Sequence, residues 1–212
     1  MKLLALDTCL QACSVALEAD GAPRMWLSEA MARGHQERLA TMTREVMSGG
    51  GVAFAELDRI GVTVGPGSFT GLRVGLAFAK GLALALGRPC VGVGVLEALA
   101  ASLDHRGLLA AVIDAGRGRV YLQIFDSTAA VTAPELLDTG LAIARVVEVC
   151  PSGEITLTGP GAAMLAPALR AAGVRDLAAP DPRAVARLAR LAPPIAPRPL
   201  YLRAPDAKVK GT

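Results

Sequence analysis

"VTVGPGSFTGLRVGLAFAKGLALALG", Val62 to Gly87, is the stretch on which the fold turns. A β-branched run enters Gly65-Pro66-Gly67 and a long apolar segment leaves it. That order predicts a buried strand, a tight turn and a helix over Phe69–Leu86, the repeating unit of an α/β fold. The turn glycines are spaced G-x-G-x-x-x-G and no lysine follows them, so neither dinucleotide fingerprint nor P-loop is present. A helix N-terminus still offers free N–H groups to an anion, which makes Gly65, Gly67 and Ser68 candidate phosphate contacts. The competing reading is that glycines and Pro66 shape the turn while Ser68 or Thr70 caps the helix.

The helix itself has two apolar faces. Leu72, Leu76, Ala79 and Ala83 form one stripe, and Val74, Phe78, Leu82 and Ala85 another nearly opposite. A helix apolar on two faces is buried on both. One face rests on the chain's own sheet; the other is covered by further elements of this chain or by a partner. Gly71, Gly75, Ala79 and Ala83 recur every four residues as a smooth ridge that lets another helix approach, and Arg73 and Lys80 share one polar edge.

Outward from this segment the pattern is α/β throughout. "LLALDTCLQACSVALEADG" reads as strand, polar turn and strand, with Asp7 closing the first and Asp20-Gly21 ending the second. Ser28 to Met47 reads as a helix with Met31, His35, Leu39, Met42 and Val46 on one face, stopped by Ser48 to Gly51. "CVGVGV" is another strand and Leu96 to Leu103 another helix. The order then restarts: "LLAAVIDAGRGRVYLQIFDS" repeats strand, turn, strand with Asp114 in the place of Asp7, and "TGPG" at Thr158–Gly161 echoes "VGPG" at Val64–Gly67 before another helix. Two related α/β lobes follow, residues 1–104 and 105–212, around a shared cleft, with a proline-rich tail whose Leu200, Tyr201 and Leu202 dock on a lobe and which either stays with the second lobe or returns to the first.

Composition bounds the function. The chain has 212 residues, 52% of them hydrophobic, with 22 basic and 19 acidic side chains and a net charge of +3, too balanced to hold nucleic acid by charge alone. Cys9, Cys13, Cys90 and Cys150 form no C-x-x-C, and His35 and His105 lie far from them in sequence, which excludes a zinc-finger pattern and fits reduced cytoplasmic thiols. Met1-Lys2 runs straight into a strand pattern unlike a signal peptide, and Arg73 and Lys80 interrupt the apolar run that would otherwise suggest a membrane span. His35 has Leu39 rather than a second histidine at i+4, so it reads as a packed or interface residue and no metal site is expected. Asp7 with Thr8, and Asp114, end strands at the cleft, where carboxylates serve magnesium or phosphate chemistry or simply hold a hairpin turn. Ser68 sits in G-x-S-x-x-G, not a nucleophile elbow, and no nucleophile–base pair or acid pair with recognisable spacing appears. The arginines at 183, 187, 190, 198 and 203 suit either a solvated helix face or a contact with nucleic acid.

Taken together, "LLALDTCLQACSVAL", "GHQERL", "VTVGPGSFTGLRVGLAFAKGLALA", "VIDAGRGRVY" and "PLYLR" resemble the bacterial tRNA threonylcarbamoyladenosine biosynthesis family TsaB, also called YeaZ. The resemblance implies the duplicated two-lobe fold of the actin–Hsp70–sugar kinase superfamily. It implies a non-catalytic partner of the paralogous transferase TsaD, working with the ATPase TsaE, using no cofactor of its own while the complex takes ATP, magnesium and threonylcarbamoyl-AMP. It also implies pairing through the two first-lobe helices, with TsaD or with a second copy. On that basis His35, Leu39, Met42, Val46, Leu72, Leu76, Ala79, Lys80 and Ala83 are the expected partner contacts, and a bulky charge at Ala79 or Ala83 is expected to abolish pairing without unfolding the chain. Asp7, Thr8, Gly65, Gly67, Ser68 and Asp114 would outline a vestigial nucleotide cleft. The alternative class is a self-contained phosphotransferase or glycoprotease-like peptidase of the same fold.

Overall fold

The structure, a computed structural model, describes residues 1–127, 129–152, 154–169 and 173–202. β1 (Lys2–Asp7) and β2 (Ala12–Ala19) pair antiparallel, and Asp20 and Gly21, both at positive φ, turn the chain into β3 (Ala22–Ala30). An Asp-Gly pair with both residues left-handed is the hairpin turn whose twist suits flanking strands. This corrects the expected helix from Ser28. The run Met25–Glu29 alternates half-buried and exposed along the sheet edge, pairs with β2 through Ala30, and only after Gly34 at φ 86° does α1 (His35–Gly49) begin. Cross-strand pairing overrides the helix propensity of "SEAMA".

β4 (Arg59–Thr63), α2 (Phe69–Leu86), β5 (Cys90–Val93) and α3 (Val95–Ala101) follow as the periodicity predicts. β4 lies parallel to β1 and β5 parallel to β4, giving the sheet order β3-β2-β1-β4-β5. The second sheet repeats this topology. β6 (Leu108–Gly116), β7 (Arg119–Phe125) and β8 (Glu135–Asp138) are antiparallel neighbours, α4 (Thr139–Val149) follows, and β9 (Ile155–Thr158) and β10 (Gly173–Arg175) add in parallel beside β6. Its order, β10-β9-β6-β7-β8, is the first sheet's order with each strand replaced by its counterpart. The helix expected after the second Gly-Pro-Gly is short: α5 (Ala162–Leu165) gives way to a 3-10 turn at Ala166–Ala168, where Pro167 lacks the N–H a longer helix needs.

α6 (Pro182–Leu191) does not stay with the second sheet. Val185, Ala186 and Ala189 pack on Leu3, Ala5 and Ala16, on the face of the first sheet opposite α1 and α2. Gly61 makes this possible, because a Cβ there would run into the Ala189 methyl. Arg59 then caps the helix end, its Nη1 donating to the carbonyls of Ala189, Arg190 and Ala192 at 2.8–3.1 Å. The second sheet closes at Arg175, and α6, with the tail at Leu200, lies against the first lobe. Of the arginine series, Arg183 pairs with Asp181 and stacks on Trp26, Arg187 donates to the Ala101 carbonyl, and Arg190 faces Glu18 at 2.9 Å; Arg203 lies outside the described residues.

Candidate functional site

A cleft of about 990 Å³ opens between the lobes. Its walls come from the β1–β2 turn, the start of α1, the β4–α2 turn, the ends of β6 and β7, Pro160, and Leu200–Leu202 of the tail. The tail is fixed there by the Leu200 N–H, which donates to the Val64 carbonyl at 2.8 Å.

The two aspartates do the same local work in the two lobes. Asp7 Oδ1 accepts from the Cys9 N–H at 3.0 Å, and Asp114 Oδ1 accepts from the Gly116 N–H at 2.7 Å, each closing its own turn two residues on. They differ in exposure. Asp114 faces the cleft, whereas Asp7 is buried, receives a second hydrogen bond from Thr63 Oγ1 at 2.6 Å, and leaves Oδ2 without a partner. Burial pushes its carboxyl above the usual range, against the lowering effects of Thr63, Cys9 and the nearby His35. Cys9 is buried behind it, and burial together with the Asp7 charge drives that thiol far above its ordinary value, so it is no nucleophile at neutral pH.

The glycine turn serves packing. A Cβ on Gly67 would strike the Cys9 carbonyl, one on Gly71 the Thr8 carbonyl, and one on Gly75 would stand 2.5 Å from Thr8 Oγ1. Thr8 is buried and its Oγ1 donates to the Gly71 carbonyl at 2.7 Å, tying the β1–β2 turn to α2. Of the amides in this turn, Ser68 N–H donates to the Cys9 carbonyl at 2.7 Å, Gly71 N–H to Ser68 Oγ at 3.2 Å, and Leu72 N–H to the Ser68 carbonyl. Gly65, at φ 97°, is pressed between Leu72 and the Leu200 carbonyl. Ser68 is the helix cap, and no described histidine bonds to its hydroxyl. Among the described residues no cluster of three or more His, Cys, Asp and Glu side chains could hold a metal.

The expected partner contacts are divided by burial. Lys80 is exposed, but His35, Leu39, Met42, Val46, Leu72, Leu76, Ala79 and Ala83 are buried in the chain's own core. Gly71 and Gly75 of the small-residue ridge lie against Thr8 and Val62, and Ala79 and Ala83 are buried in the same core cluster as Leu39, Met42 and Val46 of α1, so a bulky charge at either is expected to disturb the fold itself. His35 lines the cleft while its Nε2 is enclosed without a partner. The open side of α2 is instead Phe69, Arg73, Ala77, Lys80 and Leu84, flanked by Thr70, Gly81 and Ala85 and by half-buried Val74, Phe78 and Leu82. Leu84 is 84% exposed. Sequence reasoning held the clue: Arg73 and Lys80 mark the edge that faces water. By length and composition α2 is the one helix among the described residues apolar enough to cross a bilayer, and 33% of it is buried within the chain.

The family model described as "TsaD: tRNA N6-adenosine threonylcarbamoyltransferase" matches residues 28–209. The TsaB protein of Escherichia coli K12 is 36% identical over 124 residues, 57% of this chain and 53% of its own. A solved Pseudomonas aeruginosa structure, described as similar to peptidase YeaZ, superposes with a TM-score of 0.81 and 27% identity over 95% of this chain and 99% of that one. The chain belongs to this family, in its TsaB (YeaZ) branch. The matched region covers about half the length of the curated TsaB relatives. The two-lobe architecture extends further: a hexokinase from Thermus thermophilus shares it at TM-score 0.51 and 15% identity over 90% of this chain and 98% of its own, which places the fold among the actin- and sugar-kinase-like proteins.

Proposed function

We propose that this chain is a non-catalytic activating subunit in the synthesis of N6-threonylcarbamoyladenosine beside the tRNA anticodon. It docks the open face of α2 on a TsaD-type transferase, in the cytoplasm, with a TsaE-type ATPase joining the assembly. The observation that carries this reading is the uncovered stripe Phe69–Leu84, apolar apart from Arg73 and Lys80, on a helix whose other side is already spent on the core. The family match supports a partner of the same kind, since a TsaD-type protein shares the sequence pattern of residues 28–209 and would present similar helices. The cleft is consistent with an accessory role: its aspartates close turns and burial suppresses its thiol. ATP, magnesium and threonylcarbamoyl-AMP are then handled by the partners. A second copy would compete for the same face.

The test is reconstitution. Transferase, ATPase, ATP and threonylcarbamoyl-AMP are combined with tRNA, with and without this chain and with its Leu84→Asp variant. Modification should require the wild-type chain and fail with Leu84→Asp at unchanged circular dichroism. ATP turnover or peptide cleavage by the isolated chain, lost in Asp7→Ala, would establish the enzymatic alternative instead.

A further inference from the structure

We propose that Arg73 is a preorganised receptor for a carboxylate side chain on the helix that docks against α2. This deepens the docking reading and rests on it. Most arginines bound in this structure answer to acids or carbonyls: Arg38 to Glu29 and Glu45, Arg145 to Glu135 and Glu148, Arg183 to Asp181, and Arg59 to the end of α6. Arg73 is held differently. Its guanidinium carbon lies 3.7 Å over the Phe69 ring, and its Nε donates to Tyr201 Oη at 3.3 Å. The two rings stand 5.5 Å apart at 39°, and each is a little under half exposed. Tyr201 is held in turn by the tail, through the neighbouring Leu200 bond to Val64.

One face and one nitrogen of the guanidinium are thus used for placement. The terminal fork, Nη1 and Nη2, meets no carboxylate among the described residues, and α2 carries no acidic residue. A planar fork held in this way matches a carboxylate bidentately, and its side-chain ordering is accomplished before the partner arrives. The residue stands in line with Ala77, Lys80 and Leu84, so the charge lies within the apolar stripe. Aromatic and arginine side chains at the centre of such stripes dominate association energies. Lys80, two turns further on, supplies a second cation to the same edge. The partner helix should therefore carry an Asp or Glu opposite Arg73, among small apolar residues. Tyr201 is a positioning residue that acts through Arg73.

Binding of the full chain to the TsaD-type transferase is measured by calorimetry at 50 and 300 mM salt for wild type, Arg73→Gln, Arg73→Lys, Tyr201→Phe and Leu84→Asp. Arg73→Gln should weaken binding tenfold or more and flatten its salt dependence. Arg73→Lys, which keeps the charge but loses the fork and the stack, should recover only part of the affinity. Tyr201→Phe, which keeps the ring, should weaken binding several-fold at low salt. If Leu84→Asp abolishes binding while Arg73→Gln stays within twofold of wild type, the carboxylate receptor is overturned and the docking face stands. If Leu84→Asp binds normally, the docking face itself fails, and the receptor with it. Inorganic phosphate and ATP are titrated into the isolated chain as well; saturable binding lost in Arg73→Gln would assign Arg73 to a free anion in the cleft and overturn the proposal.

Discussion

Replacing Gly71 and Gly81 by alanine, in the same helix, should move stability in opposite directions. At Gly71 the new methyl falls well inside the 3.0 Å that real Cβ atoms respect, and the atom it meets is the Thr8 backbone carbonyl, which cannot swing away. Either α2 retreats from the β1–β2 turn or the turn distorts, and the buried bond from Thr8 Oγ1 to the Gly71 carbonyl at 2.7 Å is lost or stretched. Overpacking of this kind costs about 1–3 kcal/mol, and a buried hydrogen bond left unsatisfied about 1–3 kcal/mol more. Against this stands the gain of about 1 kcal/mol for alanine over glycine inside a helix. The net expectation is a loss of about 1–5 kcal/mol, or roughly 2–20 °C in Tm for a chain of this size. At Gly81 nothing lies within 4 Å of the added Cβ, so only the propensity gain remains and Tm should rise by about 2–4 °C. Urea unfolding followed by far-ultraviolet circular dichroism reads both variants on one scale. A Gly71→Ala protein as stable as Gly81→Ala refutes the close approach of α2 to Thr8, and with it the assignment of the turn glycines to packing.

The raised pKa of Asp7 has a pH signature. The native state holds this proton to higher pH than the unfolded chain does, so its contribution is full below the ordinary carboxylate range and is lost as pH rises through the folded value. Asp7→Asn should therefore gain stability relative to wild type as pH rises above the ordinary carboxylate range, read as the difference of the two Tm curves; a difference independent of pH refutes the assignment. Arg59→Ala frees the carbonyls at the end of α6 and should cost about 1.5–3 kcal/mol, with faster amide exchange confined to α6 and the tail; uniform exchange across the first sheet would show that α6 is not a separately fastened element.

The fold was legible because its signals are local and occur twice. Asp-Gly after β2, the β-branched run before Gly-Pro-Gly, and the return of both strand pair and turn after residue 107 each state one element. What escaped was decided by distant partners. Ser28–Ala30 carries helix-forming residues, and only the backbone of β2 makes it a strand. α6 follows the second sheet in sequence, yet its small apolar side finds its match in Leu3, Ala5 and Ala16, more than 160 residues earlier in the chain.

The same rule explains why the sides of α2 are hard to tell apart in the sequence. A helix apolar around most of its circumference has little contrast between faces, and a ridge of small residues suits any close neighbour. Here that neighbour is the Thr8–Cys9 backbone, with the Thr8 side chain, which approach so near that Gly67, Gly71 and Gly75 have no room for a side chain. The discriminating signal was polar, not apolar: core cannot tolerate an uncompensated Arg73 or Lys80, so whichever stripe holds them must face outward. Once that stripe is outward, Leu84 is largely exposed on it and Phe69 a little under half, its ring partly covered by Arg73 and Tyr201. Apolar surface of that kind on an ordered helix is favoured when another protein covers it. By letting one side of α2 sink onto the β1–β2 turn, the glycine turn thus fixes which residues of the helix, Phe69, Arg73, Ala77, Lys80 and Leu84, stay on its open side.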